Sequence, residues 1–350
     1  MRVGVDGRSL RGDRAPRGIA SYLDCLLAEL RSIPGDDYAV LTADSRLGYA
    51  AAAFIGRPRL DRQLGGCDVL WAPAPAPLAV SSGVPLVLTI HDLSFEHRPR
   101  DYTAYERFWH RRAHPRALAR RAARVIAVSE SVRGQLLDEW SLPEEKVVAI
   151  PSGPGRPPRG RGAAPAGLPP DYLLVVGGIE PRKRIDLLLD AHERARRGGL
   201  SAELVLAGDG PLRERAAAAG ATTLGVVPAD ELDGLYAGAR ALVLASREEG
   251  FGFTPLEALA RGTPAVVPDL PPFRETLGDT ALTFPPGDAE ALAGALLRIE
   301  HEPGLRERLV AAAAEPLRRL SWERAASETR AVLAAASGEP SRRSASNPGA

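Results

Sequence analysis

The residues with the most chemistry to offer lie in one stretch, 246-SREEGFGFTPLEALARGTPAVVP-268, where Glu249 and Glu257 bracket a glycine-rich turn. Gly250 and Gly252 let a backbone approach a ligand closely, and a helix opening near Pro255 directs free N–H groups toward that turn. Such a turn can hold a phosphate. A carboxylate ahead of it can take sugar hydroxyls, and one in the first helical turn can accept hydrogen bonds from a ribose diol. The same residues have plainer uses. Thr254-Pro255-Leu256-Glu257 also spells a capping box, with Thr at the cap, Pro at the first helical position and Glu at the third. Glu249, beside Glu248, can equally be solvated surface.

A second cluster, 177-GGIEPRKRIDLLLDAH-192, carries Arg182, Lys183 and Arg184 from a glycine turn to the start of a helix. Arg is a planar fork and Lys a mobile point charge, and together they suit a diphosphate; alone they also read as an exposed basic loop. A third, 89-TIHDL-93, sets His91 and Asp92 at the carboxyl end of a buried strand, a ligand-facing position in open α/β sheets and also a common place for a structural histidine.

These groups need a scaffold, and the hydrophobic pattern supplies one. Short β-branched runs at 2–6, 38–42, 68–72, 85–90, 124–129 and 146–150 recur in the first half, with clear helical periodicity at 20–33. The second half repeats the scheme with strands at 172–177, 203–208, 241–246 and 264–268 and helices near 185–197, 211–219, 230–238, 255–261 and 289–299. Continuous apolar strands alternating with helices predict an α/β fold of two doubly wound parallel sheets with a cleft between them. The expected domains are 1–150 and 171–320, joined by the Pro/Gly/Arg-rich linker 151–170. A helix at 321–336, capped by Ser321, follows the second domain without having to pack on it, and 337–350 has the composition of a disordered tail.

Composition narrows the function classes. Across 350 residues, 45 Lys and Arg face 44 Asp and Glu, which argues against a dedicated nucleic-acid binder. The two cysteines, Cys25 and Cys67, are too few for a disulfide framework or a cysteine-based zinc site. No apolar run approaches the roughly 20 residues needed to cross a bilayer, and no signal peptide is visible, so a cytoplasmic setting is expected.

Residues 173–333 resemble the donor-binding half of the retaining glycosyltransferases of family 4, which have the two-Rossmann-domain GT-B architecture. The matching segments are 177-GGIEPRKRIDLLLDA-191, 205-VLAGDGPLRE-214, 224-LGVVPADELDGLYAGARALVLAS-246, 249-EGFGFTPLEALARGTPAVV-267, 286-PGDAEALAGALLRI-299 and 320-LSWERAA-326. The first half matches through 3-VGVDGRSL-10, 17-RGIASY-22, 89-TIHDLSFEHRP-99 and 127-AVSESVRGQLL-137.

The resemblance implies that Arg182 and Lys183 hold the donor diphosphate and that Glu249 contacts donor-sugar hydroxyls. The backbone from Gly250 through Phe251, Gly252 and Phe253 to Thr254 would line the sugar and phosphate, Glu257 would bind the ribose, and the backbone near Val227 the base. His91 would face the sugar, and a loop Gly18-Ile19-Ala20 would approach the phosphates, with the Ala20 methyl restricting that approach. The implied reaction is retaining transfer of a hexose from a nucleoside diphosphate sugar to a hydroxyl, without a metal. No Asp-x-Asp motif is present, and Asp209 reads as a turn residue. Likeness to mannosyltransferases makes GDP-mannose the expected donor, with uridine and deoxythymidine donors open, and a glycan or lipid-linked acceptor is expected. A catalytically silent sugar-nucleotide binder is the alternative on the same fold. Finally, Tyr105, Phe108 and Trp109 share a helical face in 102–124, beside Arg111, Arg112 and Arg116. That combination suits either an anionic membrane surface or ordinary packing with solvated arginines.

Overall fold

The computed structural model describes residues 1–8, 18–42, 54–55, 57–158, 160 and 162–338. Ser9, Leu10 and Arg17 of the matched segments, parts of the linker and the tail beyond Gly338 lie outside these residues.

The chain builds two six-stranded sheets. The first contains β1 (Arg2–Asp6), β2 (Asp37–Leu41), β3 (Val69–Ala72), β4 (Leu86–Ile90), β5 (Arg124–Ala127) and β6 (Val147–Ala149), in the order β2-β1-β3-β4-β5-β6. The second contains β7 (Tyr172–Val176), β8 (Glu203–Ala207), β9 (Thr222–Gly225), β10 (Ala241–Val243), β11 (Ala265–Pro268) and β12 (Ala281–Phe284), in the order β12-β11-β10-β7-β8-β9. All strand pairings are parallel. A central parallel strand covered by helices on both faces buries every side chain, as β4 does along its whole length.

Strand order locates the ligand crevice. In the second sheet the chain winds outward from β7 to β9 on one side and from β10 to β12 on the other. The topological switch point therefore falls between β7 and β10, and such sheets bind ligands just beyond the strand ends at that point. The loops leaving these two strands carry Arg182 and Lys183 in one case and Glu249 in the other. In the first sheet the order reverses at β1 and β3, next to β4 and its following His91.

One apolar core runs from the first sheet to the inner face of the second, and a separate cluster fills the second sheet's outer face under the helices Ile185–Arg197 and Ala289–His301. The last described helix, Trp322–Ser337, packs on the helix Gly18–Ser32 and on β3, β4 and β5, and so crosses back to the half that holds the first sheet. An ion pair of 2.6 Å from Arg330 to Asp36 fastens it there.

The segment after β6 is not a loose tether at its start. Ser152, Gly153 and Gly155 are buried, and the Trp322 indole donates to the Gly155 carbonyl at 2.7 Å. The helix expected at 20–33 begins earlier, at Gly18. Gly18, Ile19 and Ala20 are thus its first turn rather than a loop.

Candidate active site

The short 3-10 turn Pro181–Lys183 follows β7 and ends at Arg184, whose φ of 52° places it in the left-handed region before the helix Ile185–Arg197 begins. This turn aims Arg182 and Lys183 at the loop after β10. The Arg247 amide donates to the Arg182 carbonyl at 3.1 Å, tying the two loops together. Lys183 Nζ forms a short ion pair with Glu249 Oε1, and Arg182 Nη2 lies 3.1 Å from Glu180 Oε1. Glu249 is therefore not solvated surface, and the basic residues are not an exposed loop.

Burial would raise the Glu249 carboxyl, but Lys183 and Arg182 outweigh it and hold Glu249 below the usual carboxylate range. Burial likewise works against the charge on Arg182, yet Glu180, Glu249 and Asp92 hold its guanidinium well above its ordinary value. Glu249 and Arg182 therefore stay ionised at neutral pH. Two cations set beside a cleft, each restrained by a carboxylate, can receive an anionic ligand without reorganising.

The turn from Gly250 to Gly252 is pressed against the opposite half. A Cβ at Gly250 would stand 1.6 Å from the His91 carbonyl oxygen, so only glycine allows the two halves to meet here. The Ser129 hydroxyl donates to the Gly250 carbonyl at 2.7 Å while accepting from the Val132 amide, which caps the helix Glu130–Trp140. Glu275, from the other half, accepts from the Glu130 and Ser131 amides at 2.8 and 3.0 Å. Phe251 is buried, and the Phe253 ring stacks on Trp322 at 6.0 Å with 12° between planes. The nearest atom to a Cβ built on Gly18 is a Phe253 ring carbon at 3.8 Å, so the first turn of the Gly18–Ser32 helix does approach this region.

His91 lies on the first half's side of the cleft. Its Nε2 is 2.8 Å from the Pro73 carbonyl, which makes that nitrogen the donor and leaves Nδ1 as an acceptor. Burial pushes the ring below its ordinary pKa, favouring the neutral form, and Tyr22 packs edge-on against it with centroids 4.8 Å apart.

The capping box does not form. The helix runs Phe253–Leu259, its cap is Gly252 with φ 108°, and no side chain caps it. Because the chain turns into the helix at Gly252, Thr254 is already its second residue and Glu257 its fifth. Glu257 instead accepts from the Arg156 amide at 3.0 Å through Oε1 and from the Tyr236 hydroxyl at 2.9 Å through Oε2. Val227 is buried in the bend between β9 and the helix Ala229–Gly238.

The structure thus gathers Arg182, Lys183, Glu249 and the 250–254 turn against His91, with Glu257 one turn further along the helix. Four contributors escaped the sequence reading. Glu180 was legible in principle, being next to the basic pair, and Tyr236 stands in the segment 224–246. Arg156 is hidden inside a linker composition, and Ser129 looks like an ordinary helix cap. No group of three His, Cys, Asp or Glu able to hold a metal occurs among the described residues.

Two Rossmann-like domains, each a six-stranded parallel sheet, facing one another define the GT-B class of fold. The chain belongs to glycosyltransferase family 4, a family of hexosyl-transferring enzymes: the pattern described as "Glycosyl transferases group 1" matches residues 162–315 and that of "Glycosyltransferase Family 4" residues 27–153.

Among its relatives, O-antigen chain mannosyltransferase B of Escherichia coli is 28% identical over 69% of this chain and 68% of its own length. Phosphatidyl-myo-inositol mannosyltransferase of Mycobacterium leprae is 33% identical over 45% of this chain and 44% of its own length. D-inositol 3-phosphate glycosyltransferase of Streptomyces bingchenggensis is 32% identical over 61% and 53%. The match thus spans about half the length of these last two. The fold is shared with Anabaena HepE, solved in complex with UDP and glucose, at TM-score 0.71 and 16% identity over 96% of this chain and all of that one.

Proposed function

We propose that this enzyme transfers mannose from GDP-mannose to a hydroxyl of a glycan or lipid-linked acceptor, with retention at the anomeric carbon and without a bound metal. The observation that carries the reading is the Lys183–Glu249 pair beside Arg182, at the switch point of the second sheet. In this reading the donor diphosphate lies against Arg182 and Lys183. As the bond from the sugar carbon to the diphosphate oxygen breaks, the electron pair stays on that oxygen, and the two cations stabilise the charge that a metal would otherwise meet. Glu249 accepts from sugar hydroxyls, Nδ1 of His91 accepts from the sugar across the cleft, the turn from Gly250 to Thr254 lines the sugar and phosphate, and Glu257 takes the ribose. The base lies along the backbone near Val227, and the Gly18 turn approaches the phosphates.

The two mannosyltransferase relatives support the choice of sugar. A thermal-shift panel of nucleotide sugars tests it. Stabilisation by GDP-mannose that survives EDTA is expected; stabilisation by uridine donors and not guanosine donors contradicts the assignment.

We extend the proposal to where the enzyme works, at the cytoplasmic face of an anionic membrane. Tyr105 is 71% exposed and Phe108 44% exposed on the helix Ala104–Ala113, and the exposed Phe54 ring lies 6.1 Å from that of Phe108. The Arg112 guanidinium sits 4.6 Å above the Phe54 ring, and Arg111 precedes it. Aromatics outside the core beside cations fit a lipid surface, where each basic residue contributes about 1 kcal/mol. No helix among the described residues is long and apolar enough to cross a membrane. Co-sedimentation with anionic vesicles that weakens with salt and with Arg111/Arg112→Ser is expected. Absence of binding at low salt removes this extension.

A further inference from the structure

Glu257 is held from two directions, and neither partner is a ligand. Its Oε1 accepts from the backbone amide of Arg156, in the segment that joins the two halves, and its Oε2 accepts from the hydroxyl of Tyr236, on the helix Ala229–Gly238. The joining segment crosses so close that a Cβ on Gly155 would stand 2.3 Å from Glu257 Cγ. Arg261 locks the assembly. It donates to the Glu257 carbonyl at 3.0 Å and to the Arg156 carbonyl at 3.2 Å, pairs with the buried Asp233 at 2.6 Å, and lies 5.3 Å from the Tyr236 ring centre. The Tyr236 ring is itself fully buried. An ionised carboxylate has about four lone-pair sites. With one on each oxygen already taken, one on each remains, and two acceptors side by side match a vicinal diol.

We propose that Tyr236 is a positioning residue for the donor, fixing the Glu257 carboxylate together with the Arg156 amide so that one lone pair on each oxygen stays open to the ribose hydroxyls. The inference rests on the reading of Glu257 as the ribose ligand. It adds that the joining segment and the nucleotide share one carboxylate, so whatever disturbs either of its two fixed hydrogen bonds disturbs donor binding.

Burial holds the Glu257 carboxyl above the usual carboxylate range, while the Arg156 amide, the Tyr236 hydroxyl and the Arg261 guanidinium pull it back down. Removing the hydroxyl therefore raises it further, and a protonated carboxyl loses acceptor capacity. Nucleotide affinity then falls off on the acid side at a higher pH than in the wild type.

Calorimetric titration of UDP and GDP across the pH range, with the full chain, tests the proposal. Tyr236→Phe keeps the ring and is expected to bind about tenfold more weakly, the scale of one hydrogen bond to a charged group, with its acid fall-off moved to higher pH. Gly155→Ala, which crowds the carboxylate from the other side, is expected to weaken binding too, and serves if Tyr236→Phe does not fold. Glu257→Gln is expected to lose both affinity and the acid fall-off. Wild-type affinity and pH profile in Tyr236→Phe, alongside a weakened Glu257→Gln, overturn the proposal and leave the ribose assignment standing. Unchanged affinity in Glu257→Gln overturns the ribose assignment itself.

Discussion

The Lys183–Glu249 pair is the most demanding contact at the scale of single residues. Taking two charges out of water is costly, and their attraction offsets that cost only while both remain. Lys183→Ala therefore acts twice. In the proposed reaction it removes a charge-stabilising group, with an expected loss of about 3–4 kcal/mol of transition-state stabilisation, and it leaves the largely covered Glu249 with Arg182 alone to offset its charge, lowering the melting temperature. Adding Glu249→Gln neutralises the stranded carboxylate, so the double variant is expected to regain melting temperature without regaining turnover. A double variant as unstable as Lys183→Ala alone contradicts this account of the pair. The sequence made both residues conspicuous, because a basic pair after one strand and a glutamate after another are local patterns. It did not reveal that they touch, since 66 positions separate them and only the adjacency of β7 and β10 joins them. The capping box failed for a related reason. Helix starts are decided by backbone dihedrals as well as by cap residues, and Gly252 in the left-handed region begins the helix before Thr254 can cap it.

Among the elements, every strand of the first sheet was legible, its edges β2 and β6 included, while the second sheet was legible only in its interior. β9 and β12, which the hydrophobic pattern missed, are the two edges of the second sheet. Edge strands have a neighbour on one side only and need fewer apolar residues; β9 reads Thr-Thr-Leu-Gly. The seam between halves was also illegible, because it is made by side chains far apart in sequence. His97 is its clearest member: Nδ1 lies 2.8 Å from Glu248 Oε1, next to the catalytic candidate Glu249, and Nε2 lies 2.7 Å from Glu139 Oε2 on the helix Glu130–Trp140. Partial burial would lower the ring's pKa, but the carboxylates of Glu139 and Glu248 prevail and raise it. A raised histidine pKa contributes its full clasping strength below the ordinary value and loses it as pH climbs through the raised one. Closure of the two halves is thus expected to loosen on the alkaline side, and His97→Gln to remove that dependence. Scattering profiles of the wild type that show no pH dependence across this range contradict the clasp.

For the whole molecule, the two parallel sheets, the joining segment and a helix that crosses back to the first sheet's half together set a cleft whose two walls are brought into register at Gly250 and His91. In the proposed reaction the chemistry is divided between those walls, with the cations and carboxylates on one and a neutral imidazole on the other. By that proposal, this division cleaves a nucleoside diphosphate sugar at the anomeric carbon. Release of nucleoside diphosphate from GDP-mannose, followed without acceptor over hours and then with candidate glycan acceptors, measures that cleavage. Slow release is expected, accelerated by acceptor and reduced by Lys183→Ala on the order of a hundred- to a thousand-fold. No release from any nucleotide sugar, or release that Lys183→Ala leaves untouched, would contradict it.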